Sequence, residues 1–420
     1  MKRRVSPPRG ISILCAPTPT PAAYTTTHIT GAAEAPAMER STDRILTTHI
    51  GSLPRTPELL GLLKARQDGE DVDPDEWDRA VEEATETVIR RQAEVGLDII
   101  NNGEQPRVSF NQYVANRLSG IDGRREAPLW DDLKEYPDYV EDTFASDVID
   151  LTTQPAVTGP VEYVGAEEAR AEIDAFFDLL EASGVEPEGT FITAAAPGIA
   201  ATSLANEYYD NHPEFLFALA DALSEEYEMI AETGATIQLD APELLASGHR
   251  GPQDKSIETL HAIVELHVEA MNEATADIPA EQLRVHTCWG SYEGPHHRDV
   301  ALEKVLPELY ELDISGISIE QANPRHQHEY RAFAEHPLPE DWTLMPGVVD
   351  VKTNVLEHPE VVADRLERVA DAVGDPTRIV AAPDCGFDTQ AGLAMVHPEI
   401  AWAKLETMVA GAKVATERLF

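Results

Sequence analysis

The stretch Leu283-Arg-Val-His-Thr-Cys-Trp289, LRVHTCW, reads as a short strand whose last residues are chemical rather than structural. Side chains alternate along a strand, so His286 and Cys288 project from one face and can reach one point. Seven other runs share this form: ILTTHIGS (45–52), LDIINNGE (97–104), TFITAAAP (190–197), TIQLDAP (236–242), ISGISIEQ (314–321), LMPGVVDVK (344–352) and RIVAAPDCG (378–386). Between them lie amphipathic segments such as PEFLFALADALSEEYEMIAETG (213–234), with apolar residues at three- and four-residue spacing and a glycine stop. Eight βα repeats predict an α/β fold, a (β/α)8 TIM barrel, with residues 120–164 as its largest insertion. A doubly wound open sheet would alternate in the same way, but the chain has no glycine-rich phosphate loop.

Polar residues close these runs: Ser52, Glu104, Asp240, His286, Cys288, Glu320, Asp350, Asp384 and Cys385. In a barrel the C-terminal strand ends form the catalytic face, where residues remote in sequence converge. His286, Cys288 and Cys385 then offer imidazole and two thiolates, a donor set suited to Zn2+, and Glu320 on an intervening strand can complete a tetrahedral shell. The remaining loop histidines, His296, His297, His326 and His328, carry no such pattern.

The whole chain bounds the function further. With 32 basic and 76 acidic residues its formal charge is −44, which repels nucleic acid and anionic membranes, and acids spread over nearly every helical segment suit a folded protein of a salty, halophilic cytoplasm. Three cysteines cannot build a disulfide framework, and no apolar run is long enough to span a bilayer. Residues 1–42, rich in Pro, Thr and Ala, are expected to form a disordered tail, leaving 43–420 as one catalytic barrel. The KRR–ISILC segment within the tail is too short in apolar residues for an export signal, and Met38 is an alternative start.

Seven motifs, HIGSLPRT, NNGEQPR, IQLDAPEL, VHTCWG, ISIEQA, GVVDVKT and APDCGFDT, stand in an order that resembles the catalytic barrel of cobalamin-independent methionine synthase. The closing PEIAWAKLETMVAGAKVA looks like the short single-barrel branch of that superfamily, which includes epoxyalkane:coenzyme M transferase. The resemblance implies zinc at His286, Cys288, Glu320 and Cys385, the homocysteine amino group at Glu104 and Asp240, and its carboxylate at Ile50 and Ser52. It implies methyl transfer to homocysteine from 5-methyltetrahydrofolate or another methyl carrier, by a cytoplasmic enzyme whose partners are these small molecules and which is free to form a homo-oligomer. A coenzyme M-type thiol alkyltransferase and a non-enzymatic zinc protein are the alternatives. The family's histidine after Asp-Ile is replaced by Lys352, and the folate-stacking segment is absent. Lys352 and Asp350 are the candidate catalytic pair. With Asp350 nearby, Lys352 is expected to stay charged and to bind an anionic group or pair with a carboxylate, rather than protonate a leaving amine.

Overall fold

Strands that are apolar on both faces need cover on both, and the alternating β and α segments supply it. The computed structural model describes residues 38–143, 152–250 and 256–420. Eight parallel strands form one sheet: β1 (Leu46–Thr47), β2 (Ile99–Ile100), β5 (Gly189–Ala195), β7 (Thr236–Asp240), β8 (Leu283–Thr287), β9 (Gly316–Ile319), β10 (Thr343–Val349) and β11 (Val380–Pro383). Their order is β1-β11-β10-β9-β8-β7-β5-β2. The ring closes between its first and last members through single bonds: Asp98 N–H donates to Thr47 O (3.1 Å), and Thr48 Oγ1 donates to Ile99 O (3.3 Å). The eight expected runs are these eight strands, in a TIM barrel.

The main core lies between strands and helices, where Ile45, Ile100, Ile192, Ile237, Val285 and Ile317 meet helical residues such as Val88, Leu219 and Leu366. A second, smaller cluster of Leu46, Ile50, Ile99, Phe191, Met345, Val380 and Ala382 belongs to the alternate strand positions that fill the ring. Arg284 is buried among them with its guanidinium 3.8 Å from the Phe191 ring centroid, donating to His49 O (3.3 Å), and burial pulls its pKa down to about 9. The outer helices follow ordinary end rules. Helix Pro74–Val95 starts at Asp73, whose carboxylate accepts from Asp75 N and Glu76 N, and stops at the left-handed Gly96. Inside it, the Gln92 amide ties the barrel together: Oε1 accepts from Asn101 N (3.1 Å) and sits 2.7 Å from His49 Nε2.

The insertion at 120–164 builds a small sheet. Strands β3 (Ile121–Glu126) and β4 (Thr153–Val157) pair antiparallel, and β4 pairs in parallel with β6 (Ala205–Asn206). The tail expected at 1–42 falls largely outside the described residues, but its last five residues are ordered. Ser41 is fully buried, donates from Oγ to Ile379 O (2.5 Å) and accepts there from Leu46 N (2.9 Å), which ties it to the base of the barrel. No described helix is long and apolar enough to cross a membrane.

Candidate metal and thiol site

Strand register sets the site. Asp240 on β7 is the partner of His286 on β8, and His286 is the partner of Ser318 on β9, so these residues share one level at the C-terminal end of the ring. Cys288 leaves β8 one residue past its end, and Cys385 follows β11. The ligand atoms of His286, Cys288 and Cys385 all lie within 4.8 Å of one another, and all three residues are buried. The two cysteines are free thiols. His286 Nδ1 is 3.4 Å from Ser318 Oγ, while Nε2 has no hydrogen-bond partner among the described residues. An imidazole held by one nitrogen with the other orphaned beside two sulfurs is what a zinc ligand requires, so the donor set fits the metal. The electrostatics agree. The Cys288 contact drives the Cys385 thiol well below its usual value, with His286 assisting, and the same contact pushes Cys288 up.

A cavity of about 390 Å³ opens on this group. Ile50, Ser52, Glu104, Asp240, His286, Cys288 and Cys385 all line it, so seven of the ten expected site residues meet on one space. Glu104 reaches it from a backbone in the left-handed region (φ 54°), an uncommon state for a residue with a side chain. Its turn is fixed by Asn102 Oδ1, which accepts from Glu104 N (2.9 Å), and by Arg55 Nη2, which donates to Glu104 O (2.8 Å). Gly51, at φ 127°, makes room: a Cβ there would stand 2.3 Å from Glu104 Oε1. Glu104 Oε2 and Ser52 Oγ have no partner among the described residues. Asp240 Oδ1 accepts from Gln238 Nε2 (2.8 Å), which also donates to Ile50 O (2.7 Å). Burial raises the pKa of both carboxyls, Asp240 strongly, and Glu104 adds to the shift of Asp240. Two buried carboxyls on one cavity are a place for an ammonium group, whose charge would favour their ionised forms.

Glu320, Lys352 and Asp350 stand apart from the cavity lining. Glu320 Oε1 pairs with the Lys352 ammonium and accepts from Asn323 Nδ2 (2.6 Å), while Oε2 accepts from Trp289 N (3.3 Å). Glu320 does not join the cluster of three ligand atoms among the described residues. Burial opposes the charge on Lys352, and Glu320 outweighs it, holding the lysine above its usual range. Asp350 accepts from the Lys352 backbone N–H (2.8 Å) rather than from the ammonium. Asp384 pins the neighbouring turn by accepting from Gln321 N (2.8 Å), Ala322 N (2.6 Å) and Asn323 N (3.0 Å), and burial pushes its pKa up to about 7.

Several residues at the site carry no sequence signal. Trp130, from the insertion, packs on Gly290, where a Cβ would meet its ring at 2.7 Å, and tilts against Tyr292 with centroids 4.9 Å apart. Asp132 accepts from Tyr292 Oη (2.7 Å) and His296 N (3.0 Å). Asp299 Oδ2 lies 2.8 Å from both His296 Nδ1 and His326 Nε2, and His326 stacks on Trp289 at 3.6 Å. His296 and His326, unremarkable as loop histidines in the sequence, therefore frame the site, whereas His297 and His328 stay at the surface.

The sequence model of a family described as "Cobalamin-independent synthase, Catalytic domain" matches residues 45–128 and 198–414. The methionine synthase of Sulfurisphaera tokodaii is 28% identical over 374 residues, covering 89% of this chain and 93% of that protein. That of Thermococcus kodakarensis is 25% identical, covering 89% and 94%. Among solved structures, a B12-independent methionine synthase from a Shewanella species, in complex with selenomethionine, shares the fold with a TM-score of 0.66 at 20% identity, over 90% of this chain and 99% of that one. The stretch between the two matched segments, 129–197, contains Trp130, Leu133 and Gln154 of the cavity lining. With the family's catalytic-domain model covering most of the barrel, the chain belongs to the cobalamin-independent methionine synthase family of methyltransferases.

Proposed function

We propose that the chain is a zinc-dependent methyltransferase that converts homocysteine to methionine. The observation that carries this reading is the placing of two buried carboxyls, Glu104 and Asp240, on the same cavity as the buried His286, Cys288 and Cys385. Those three residues would hold zinc, which when bound supplies Lewis-acid chemistry that lowers the pKa of a substrate thiol. Glu104 and Asp240 receive the ammonium group of the amino acid, and its charge in turn favours their ionised forms. The unpartnered Ser52 hydroxyl is available to its carboxylate. The thiol end then lies towards the sulfur ligands, and the methyl donor enters from the side of Trp130 and Tyr292, whose rings keep water from the reacting atoms.

The lining also bears on the donor. It holds four carboxylates, Glu104, Glu126, Asp240 and Glu243, and among the described residues no lysine or arginine. This favours a methyl carrier without a polyglutamate tail over folylpolyglutamate, and an amino-acid thiol over the sulfonate of coenzyme M. Lys352, paired with Glu320, stays an ammonium and donates no proton to a leaving group. A purely structural zinc is disfavoured because the three ligands open on a cavity instead of being sealed by a fourth. Free buried thiols fit a reducing cytoplasm, where we place the protein. The test is incubation of zinc-loaded protein in high salt with homocysteine or coenzyme M and each candidate donor, including 5-methyltetrahydrofolate, followed by mass spectrometry of the thiol. Methylated homocysteine is the expected product; alkylation of coenzyme M alone would replace this reading with the alternative.

A further inference from the structure

Glu243 is a buried carboxylate on the cavity wall to which the reading above gives no task. It opens helix Glu243–Arg250, three residues past Asp240, and that helix packs on helices Pro197–Ser203 and Ile257–Ala274. From the second of these, the buried His267 turns Nδ1 towards it: Glu243 Oε1 stands 3.7 Å away, and Nδ1 makes no hydrogen bond among the described residues. Acid–base partners often sit this far apart before substrate binds and tighten with it. On its other side the ring meets His212, whose Nε2 is 3.0 Å from His267 Nε2. A hydrogen bond between two imidazole nitrogens holds one proton, which either ring can donate. His212, the first residue of helix His212–Ala231, is exposed to solvent, so the three side chains run from the cavity to the surface. Gly198 leaves the space for the buried contact, since a Cβ there would run into Glu243 Oε1 and stand 2.6 Å from His267 Nδ1. Tyr227, near enough to feel the Glu243 charge, takes no part: its hydroxyl donates to Ala195 O (2.6 Å), and burial holds its pKa well above the usual value.

We propose that Glu243, His267 and His212 form a proton path between the cavity and solvent, with Glu243 exchanging protons with the reacting molecules. The path rests on the thiol-methylation reading above and adds to it the route of the proton that the reaction moves. Much of the lining is apolar, with Leu133, Val140, Ile199 and Leu393 beside the Trp130 ring, and a bound donor excludes further water, so the proton needs a side-chain route. The thiol S–H bond breaks and its proton passes to a Glu243 oxygen, leaving the sulfur pair to form the S–CH3 bond. Glu243 then protonates His267 Nδ1, His267 gives its Nε2 proton to His212 Nε2, and His212 gives its Nδ1 proton to water. This is the two-nitrogen shuttle that an imidazole provides. As the bond between methyl and carrier breaks, its electron pair stays on the carrier, and an amine carrier takes one proton by the same path reversed. Both rings thereby regain their starting tautomers.

Stopped-flow mixing of the full-length, cobalt(II)-loaded protein with homocysteine separates the steps. A sulfur-to-cobalt charge-transfer band reports the bound thiolate, and a pH indicator in weakly buffered solution reports the proton reaching bulk water. In wild type the two signals should rise together. His267→Gln should uncouple them, the proton lagging the band by about 100-fold, the lower end of what a positioned acid–base group contributes, and added imidazole should close the gap. His212→Asn, at an exposed position where folding is not at stake, should show a lag in the same direction. Glu243→Gln should slow band and proton together, because the acceptor itself is lost. Signals that rise together in both histidine variants, or a lag that imidazole leaves untouched, would overturn the path. A wild-type protein that takes up cobalt but gains no band with homocysteine would instead overturn the thiol reading beneath it.

Discussion

Substituting Asp240→Asn removes one of the two carboxyls assigned to the substrate ammonium while keeping the size of the side chain and its ability to accept from Gln238 Nε2. Asp240 and Glu104 are 3% and 1% exposed, so the bond lost is a buried, charge-assisted one. Such bonds contribute about 1.5–3 kcal/mol, which converts to a loss of roughly 10- to 150-fold in homocysteine affinity. The free protein should respond in the other direction. Burial and the proximity of Glu104 keep the Asp240 pKa high, so the neutral amide relieves a strained pair, and the melting temperature should hold or rise. The assay is thiol binding to the metal-loaded protein, run in parallel with homocysteine and with 4-mercaptobutyrate, which lacks the amine. The variant should lose affinity for homocysteine only. Equal losses with both thiols would mean that Asp240 acts through the metal ligands, and unchanged affinity for both would remove it from the substrate site.

Gly51→Ala puts a Cβ into the left-handed region and against Glu104 Oε1 (2.3 Å), so it should cost roughly 1–3 kcal/mol in urea unfolding and weaken homocysteine binding as well; a wild-type response in both would refute the close approach. Trp130→Ala should slow methyl transfer while leaving thiol binding intact, because the ring lies over Gly290 on the donor side of the cavity; loss of thiol binding would place it wrongly. His49, 1% exposed, has its pKa lowered to about 3, chiefly by burial, so the unfolded chain takes up a proton below its usual value of 6.5 and the native one does not. Stability from this group is therefore complete above pH 6.5 and falls by about 2 kcal/mol at pH 5, a loss that unfolding of His49→Asn across that range should lack.

The barrel was legible because its signal is local and repeated: eight buried runs, seven of them ending in polar residues, with helices between them. His286, Cys288 and Cys385 could be grouped for the same reason, since period-two alternation and ring closure need no knowledge of side-chain packing. Trp130 and Asp132 could not, because they come from an insertion whose place over the mouth depends on contacts with Gly290, Tyr292 and His296 more than 150 residues away. Lys352 shows the limit within a motif. The adjacent Asp350 suggested a partner, but its carboxylate serves the backbone, and the ammonium turns to Glu320 on the next strand, a choice made by the register of β9 against β10. Ser41 illustrates the opposite case, a polar residue in a tail-like composition that is buried by two hydrogen bonds to the barrel's base.

The central claim, a metal held by His286, Cys288 and Cys385 that takes a substrate thiol, is tested most directly by zinc X-ray absorption of the purified protein with and without homocysteine. Metal analysis should first find about one zinc per chain, strongly reduced in Cys288→Ala and Cys385→Ala, as expected for a site with two thiolate ligands. The account then predicts two sulfur neighbours in the resting protein and three after homocysteine is added. Zinc retained in both variants, or a sulfur count that the thiol leaves unchanged, would contradict it.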